Sequence, residues 1–272
     1  MIDYEIFKKQ PLLFERLRTI ISFMNKEQLR LIVYNIRYCT GTGWKFHFPF
    51  PYIGYLKKTY KRMLQISKFI KSYNPDIVGL LEVDCGSHRT SRLNQAQTIG
   101  HKLGHFHIYQ SKYHHKSFIK KAPLFKHQGN AFLTSKEIRA TKLHYFDHGV
   151  KRLVIELELE NCVLFLVHLS LKYRHRHYQL NDLAQLIKST NKPVIIAGDF
   201  NVLWGNRELE LFLAATNLSS ANSKMLPTFP SNSPSKQIDY ILHSQSIEII
   251  NFQVPNVEYS DHLPLICDFK IK

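Results

Sequence analysis

Several apolar runs in this chain stop on side chains that a protein core rejects unless they are paired. Leu31-Ile32-Val33-Tyr34 runs into Asn35, and Ile77-Val78-Gly79-Leu80-Leu81 runs into Glu82. Val163 to Val167 ends on His168, and Val194-Ile195-Ile196-Ala197-Gly198 ends on Asp199, with Asn201 just beyond. Ile238 leads into Asp239, and Asp261-His262 stands just ahead of Leu263-Pro264-Leu265. An unpaired carboxylate or amide is costly to bury. A strand end that opens on a cleft escapes much of that cost and holds its side chain rigidly, as catalysis requires.

The residue types suggest a reaction. Hydrolysis of a phosphate ester must neutralise charge on the phosphoryl oxygens, activate a water and assist the leaving oxygen. Glu82, Asn35 and Asp261 are hard oxygen donors suited to Mg²⁺ or Mn²⁺. Asp199 suits the orientation or deprotonation of water, and Asn201 can donate to a phosphate oxygen without repelling it. His168 and His262 can donate hydrogen bonds or protons to the same centre. The chain has no GxSxG elbow, no GxxxxGK[ST] loop and no HExxH helix, so the usual signatures of serine hydrolases, P-loop enzymes and zinc peptidases are missing. Asn130 is a candidate substrate-binding residue, and for it and Asp84 a reading as turn formers stands beside a functional one.

The elements that position these residues follow from periodicity. Strands are expected at Leu29 to Asn35, Asp76 to Val83, Phe106 to Gln110 and Asn130 to Thr134, then at Cys162 to His168, Pro193 to Ala197, Ile238 to His243, Ile247 to Val254 and Leu265 to Phe269. Arg152 to Glu160 alternates apolar and charged residues, with Val154 as the exception, and reads as a half-buried antiparallel strand. Helices are expected over Lys58 to Tyr73, Gln95 to Leu103, Tyr178 to Ser189 and Glu208 to Ala215, with Asn74-Pro75 ending the first. Residues 1–28 form a basic amphipathic stretch, expected as an N-terminal helical extension ahead of a catalytic domain over residues 29–272. The segment from Gly41 to Tyr55, rich in Gly, Pro and aromatics, reads as a long loop. Two sheets packed face to face with helices outside accommodate this mixture of hairpins and helix-linked strands.

Composition sets the boundaries. Of 272 residues, 44% are hydrophobic, so a large core is available and global disorder is excluded. No apolar run is long enough for a transmembrane helix, and the N-terminus lacks the order of a signal peptide. The four cysteines are scattered without CxxC spacing, as expected of reduced thiols in a cytoplasmic protein. The net charge of +16 beside 15 histidines favours a polyanionic partner, either nucleic acid or an anionic membrane surface met through residues 1–28. Within LKYRHRHYQ (171–179), Arg174 and Arg176 either grip substrate phosphates or belong to a solvated helix start. Arg37 and Arg152 are further candidate phosphate clamps.

The motifs YNIR (34–37), GLLEVD (79–84), GNAFLTS (129–135), VHLS (167–170), GDFN (198–201), QIDYIL (237–242) and SDHLPL (260–265) occur in this order. In that pattern the chain resembles the endonuclease/exonuclease/phosphatase superfamily. The resemblance implies an α/β fold, a four-layer α/β/β/α sandwich of two mixed β-sheets flanked by helices, with its site at one edge of the sheets. It implies Glu82 as principal metal ligand with Asn35 beside it, and Asp199 and Asn201 positioning water and phosphate. It also implies that Asp239 orients the imidazole of His262. His168 matches the deoxyribonuclease branch, where a histidine serves the leaving group.

The expected function is therefore divalent-metal-dependent hydrolysis of phosphate esters, with a nucleic-acid phosphodiesterase as the leading case. A phospholipid or small-molecule phosphoesterase with the same centre is the second. A non-catalytic binding protein that retains the fold is the third.

Overall fold

A computed structural model of the chain describes residues 27–43, 57–111 and 127–272. The expected N-terminal helix and most of the aromatic loop lie outside the described residues. The apolar runs become strands, and the amphipathic stretches become helices laid on them.

The first half supplies β1 (Leu29–Asn35), α1 (Tyr60–Ser72), β2 (Ile77–Asp84), α2 (Gln95–Leu103), β3 (Phe106–Ser111) and β4 (Gln128–Thr134). Next come β5 (Ala140–Tyr145), β6 (Leu153–Glu158), β7 (Val163–His168), α3 (Tyr173–Lys188) and β8 (Val194–Asp199). The chain closes with α4 (Glu210–Thr216), β9 (Leu218–Ser220), β10 (Asp239–Ser244), β11 (Ile247–Gln253) and β12 (Leu265–Ile271). One six-stranded sheet has the order β11-β12-β1-β2-β4-β3, the other β5-β6-β7-β8-β10-β9. The third and fourth strands of each sheet, β1 with β2 and β7 with β8, are parallel, and all other neighbours are antiparallel. Each parallel pair is joined by a helix, α1 or α3, as a parallel crossover requires.

Three apolar layers hold the sandwich. Between the sheets, Leu31, Val33, Leu81 and Phe132 face Ile155, Leu164, Leu166 and Ala197, all buried. Met63, Ile66, Ile70 and Ile99 of α1 and α2 cover Ile32, Val78 and Leu80 on one outer face. Leu180, Leu183, Ile187 and Phe212 of α3 and α4 cover Val154, Phe165 and Ile196 on the other. The fold is therefore the expected four-layer sandwich of two mixed sheets. Its central strands are covered on both faces, which explains their unbroken hydrophobic runs.

Local signals act as expected at several boundaries. The Asn94 side chain caps α2 by accepting from the Gln97 backbone N–H at 3.2 Å, and Gly104 ends the helix in left-handed conformation. Three expectations change. First, β6 is covered on both sides: Val154 enters the outer layer, and the buried Glu156 carboxylate accepts from Lys142 at 2.9 Å and contacts His144 at 2.6 Å. Second, α3 starts at Tyr173 rather than Tyr178 because two polar residues, Arg176 and Gln179, occupy its buried face and hide the periodicity. Third, β5 and the three-residue β9 were not expected. Both are edge strands, and β5 carries a largely solvated ATKLHY sequence. All four cysteines are free thiols. No described helix is long and apolar enough to cross a membrane.

One glycine is required where β7 and β8 meet. Gly198 has φ +144, and a Cβ there would lie 1.9 Å from the Val167 carbonyl oxygen. Gly198→Ala is therefore expected to destabilise the protein by about 2–5 kcal/mol, from strained φ and a backbone clash. Urea unfolding measures it, and a loss under about 0.5 kcal/mol would contradict this account.

Candidate active site

Both parallel pairs end at one edge of the sandwich. Asn35, Glu82, His168 and Asp199 stand at the ends of β1, β2, β7 and β8. Antiparallel β10 begins at that edge with Asp239, and His262 lies just before β12. Open α/β sheets commonly place ligands beyond the carboxyl ends of parallel strands.

The centre is Asp199, which is buried. Its Oδ2 lies 3.1 Å from His168 Nε2 and accepts from Asn35 Nδ2 at 3.2 Å. His262 Nε2 is 3.9 Å from the same oxygen and 3.5 Å from Asn35 Nδ2. The other oxygen, Oδ1, accepts from the Asn201 backbone N–H at 3.0 Å, so the carboxylate cannot rotate freely. Burial would raise this carboxyl, but His168, with His262 and Lys151 beyond it, holds it well below the usual carboxylate range.

His262 is oriented from behind. Its Nδ1 lies 2.9 Å from Asp239 Oδ2, which also accepts from Thr228 Oγ1 at 2.7 Å. Burial alone would discharge the imidazole, but Asp239, then Asp199 and Asp261, push it up to about 10. The Phe229 ring packs against it, 5.0 Å between centroids. Asp199, Asp239 and His262 offer ligand atoms within 4.8 Å of one another, so this cluster could hold an ion. Asp239 Oδ2, however, already has two hydrogen-bonding partners, as expected of an orienting group.

Glu82 is placed by a β-bulge. Leu80 pairs with Ala131 and Val83 with Gly129, so Leu81 and Glu82 together oppose Asn130. Glu82 has φ +53, and its backbone N–H reaches Asn130 Oδ1 at 3.4 Å. The extra residue re-aims the side chain, a common use of bulges beside active sites. The carboxylate opens to solvent with 14% side-chain exposure, and Oε1 lies 3.9 Å from His168 Nε2. Asn130 Nδ2 is buried with no hydrogen-bond partner among the described residues. Asn201 also has positive φ, +52, and its Nδ2 donates to the Leu169 carbonyl at 2.9 Å.

Asp261 sits at the rim, where Arg37 Nε lies 3.3 Å from its Oδ2, and burial pushes the carboxyl up. Arg37 opens a run of three left-handed residues, Arg37 to Cys39. A buried network supports that run. Tyr38 donates to Gln128 at 2.9 Å, the Arg89 guanidinium stacks 4.3 Å from the Tyr38 ring, and Gln95 donates to the Tyr38 carbonyl at 2.8 Å. Asp84 belongs to this support, accepting from Ser87 and Arg89, so the turn-forming reading fits it.

The two arginines of 171–179 do not join the cluster. Arg176 needs correction as a phosphate ligand: it is fully buried, ion-paired with Glu208, and donates to the carbonyls of Ser170 at 2.8 Å and Leu171 at 3.0 Å. Arg174 is exposed and reaches Tyr178 Oη at 3.4 Å. Arg152 donates to the Phe146 carbonyl outside the cluster. Lys151 was missed. Its ammonium contacts His168 Nε2 and lies 4.0 Å from Glu82 Oε1, although the sequence marks it only as one more surface-type lysine. Thr228 was missed too, because it lies in an irregular loop.

A buried carboxylate thus gathers two imidazoles and an amide at the end of two parallel strand pairs of a two-sheet sandwich. A family model described as the Endonuclease/Exonuclease/phosphatase family matches residues 32–262. The chain belongs to that family and is a hydrolase of phosphate esters. No curated protein matches it in sequence. Among solved structures it is similar to an endonuclease/exonuclease/phosphatase family protein from Bacteroides thetaiotaomicron, with 17% identity and TM-score 0.69 over 90% of this chain and 98% of that one. A mannosyl-6-phosphatase of the same organism gives 18% identity and TM-score 0.67 over 89% and 99%. The human Nocturnin catalytic domain gives 20% identity and TM-score 0.63 over 90% and 95%. These likenesses show the fold.

The place of Arg176 has a measurable consequence. Breaking a buried ion pair from one side leaves a buried charge, so Arg176→Ala is expected to cost about 3–5 kcal/mol of stability. A solvated, phosphate-gripping arginine would cost about 0.5 kcal/mol or less. Denaturant unfolding separates the two.

Proposed function

We propose that the protein is a Mg²⁺- or Mn²⁺-dependent phosphodiesterase acting on nucleic acid. The observation that carries this reading is the convergence of His168, Asn35 and His262 on Asp199, with Glu82 Oε1 3.9 Å from His168 Nε2. The donor set suits a hard cation: Glu82, Asn35 and Asp261 offer carboxylate and amide oxygens, and Glu82 Oε1 already has the Lys151 ammonium as a neighbour. These three residues would hold the metal, which when bound neutralises charge on the phosphoryl oxygens.

The chain's own groups supply the rest. Asp199, kept ionised by its cationic surroundings, orients a water and accepts its proton. His262 donates from Nε2 to a phosphoryl oxygen, while Asp239 holds the proton on Nδ1 and fixes the ring. The amides of Asn201 and Asn130 donate to the remaining phosphate oxygens, and Asn130 Nδ2 is a buried donor lacking a partner. Arg37, already at Asp261, adds positive charge at the rim. The His168–Lys151 pair, joined at His168 Nε2, gives the proton to the leaving oxygen. The net charge of +16 supports a polyanionic substrate, and the free thiols fit a reducing, cytoplasmic setting.

Plasmid nicking or oligonucleotide cleavage in Mg²⁺, abolished by EDTA, is the expected result. Asp199→Ala and His262→Ala are each expected to lower kcat by about 10²–10⁴-fold, the range for loss of a positioned acid or base. A metal-loaded protein inert on DNA and RNA but active on phospholipids or sugar phosphates would overturn the substrate assignment. Retained kcat in His262→Ala would overturn the role given to that residue.

Asn130→Asp keeps an oxygen for the Glu82 N–H but replaces the orphan amide with a carboxylate. KM for an oligonucleotide is expected to rise in the folded variant, and the melting temperature to fall because the new carboxylate is buried. An unchanged KM would remove Asn130 from the phosphate site.

A further inference from the structure

The strands that end on His168 and Asp199 continue into two loops that run side by side. The Leu169 N–H donates to the Asp199 carbonyl at 2.8 Å, and Asn201 Nδ2 donates back to the Leu169 carbonyl at 2.9 Å. Further out, buried Glu208 accepts from the Trp204 N–H at 2.9 Å and from Arg176 Nε at 2.9 Å. Arg176 in turn holds the carbonyls of Ser170 and Leu171. A buried charge pair thus braces the backbone of both loops.

That braced rim carries large apolar side chains in water. Trp204 is 80% exposed, Leu171 59% and Tyr173 52%. Single exposed hydrophobics need no explanation. Three on one braced rim, each a few residues from a catalytic strand end, do. Cations alternate with them: Lys172 and Arg174 flank Tyr173, and Arg207 follows Trp204, all exposed. The first turn of α3 contains no carboxylate, although the helix dipole favours one there.

We propose that the rim braced by Arg176 and Glu208 is a single-stranded nucleic-acid platform: Trp204 and Tyr173 stack bases beside the scissile phosphate, and Lys172, Arg174 and Arg207 hold flanking phosphates. This rests on the nucleic-acid reading above and names the surface that would deliver it. Bases and phosphates alternate along a strand, as aromatic and cationic side chains do here. A membrane favours an unbroken apolar face instead. Stacking tolerates any base, so the platform selects single strands over duplex without reading sequence.

The test uses the full chain with Trp44→Phe, which leaves Trp204 as the sole tryptophan. In EDTA, oligo(dT) is expected to quench Trp204 fluorescence, and phosphatidylglycerol vesicles to leave the spectrum unchanged. In Mg²⁺, Trp204→Ala and Tyr173→Ala are each expected to lower kcat/KM on oligo(dT) by roughly 5- to 150-fold, mostly through KM, the equivalent of about 1–3 kcal/mol of stacking per base. Cleavage of an abasic strand of the same length, with the same phosphates and no bases, should not change. Equal losses on both strands, or none on oligo(dT), overturn the platform. A vesicle-induced blue shift without oligo(dT) quenching assigns the rim to a lipid surface and overturns it as well. Quenching by oligo(dT) in a wild-type protein that cleaves no nucleic acid would sustain the platform and defeat the proposed reaction. Cleavage without quenching would do the reverse.

Discussion

One buried carboxylate oxygen organises this molecule. Oδ2 of Asp199 has His168 and Asn35 within hydrogen-bonding distance and His262 close by, and these groups come from different strands or loops of both sheets. A buried carboxylate without such surroundings would be protonated or would unfold its site. With them it stays ionised at the edge of an apolar sandwich. The same cluster therefore also ties the two sheets together where their hydrophobic layer ends.

The architecture brings these groups together by repeating one arrangement. Each sheet has a parallel pair at its centre, crossed over by a helix and flanked by antiparallel strands. Facing the two sheets with both parallel pairs ending at one edge brings the ends of β1, β2, β7 and β8 together. Backbone conformations that cost energy gather there: Glu82 at the bulge, Asn201 after β8, and Arg37 to Cys39 after β1. Such conformations persist only when surrounding contacts over-determine them. The Tyr38, Arg89, Gln95 and Gln128 network is that support for the β1 exit. The side chains at this edge are held by the polar packing behind them as much as by the strands.

Much of this was legible in the residue pattern. Central strands covered on both faces leave continuous apolar runs, and a polar residue closing such a run marks the cleft, so Asn35, Glu82, His168 and Asp199 could be picked out individually. The ordered motifs carried the family and the sandwich. Where reading failed, polar residues stood in buried positions. Arg176 and Gln179 on the core side of α3 displaced its predicted start, and the basic run around Arg176 gave it the look of a phosphate ligand. Lys151 and Thr228 carry no pattern, because their importance lies in which atom they approach.

The sequence by itself determined the alternation of apolar layers, the order of the elements and the kind of chemistry available at the strand ends, because these depend on side-chain type and short-range period. Only the tertiary structure decided which polar groups share an oxygen, which arginine is a strut, and that Trp204, Leu171 and Tyr173 stand exposed on one braced rim. Those facts depend on distances between residues far apart in the chain. Such distances are set by how the two sheets pack, and no local period encodes them.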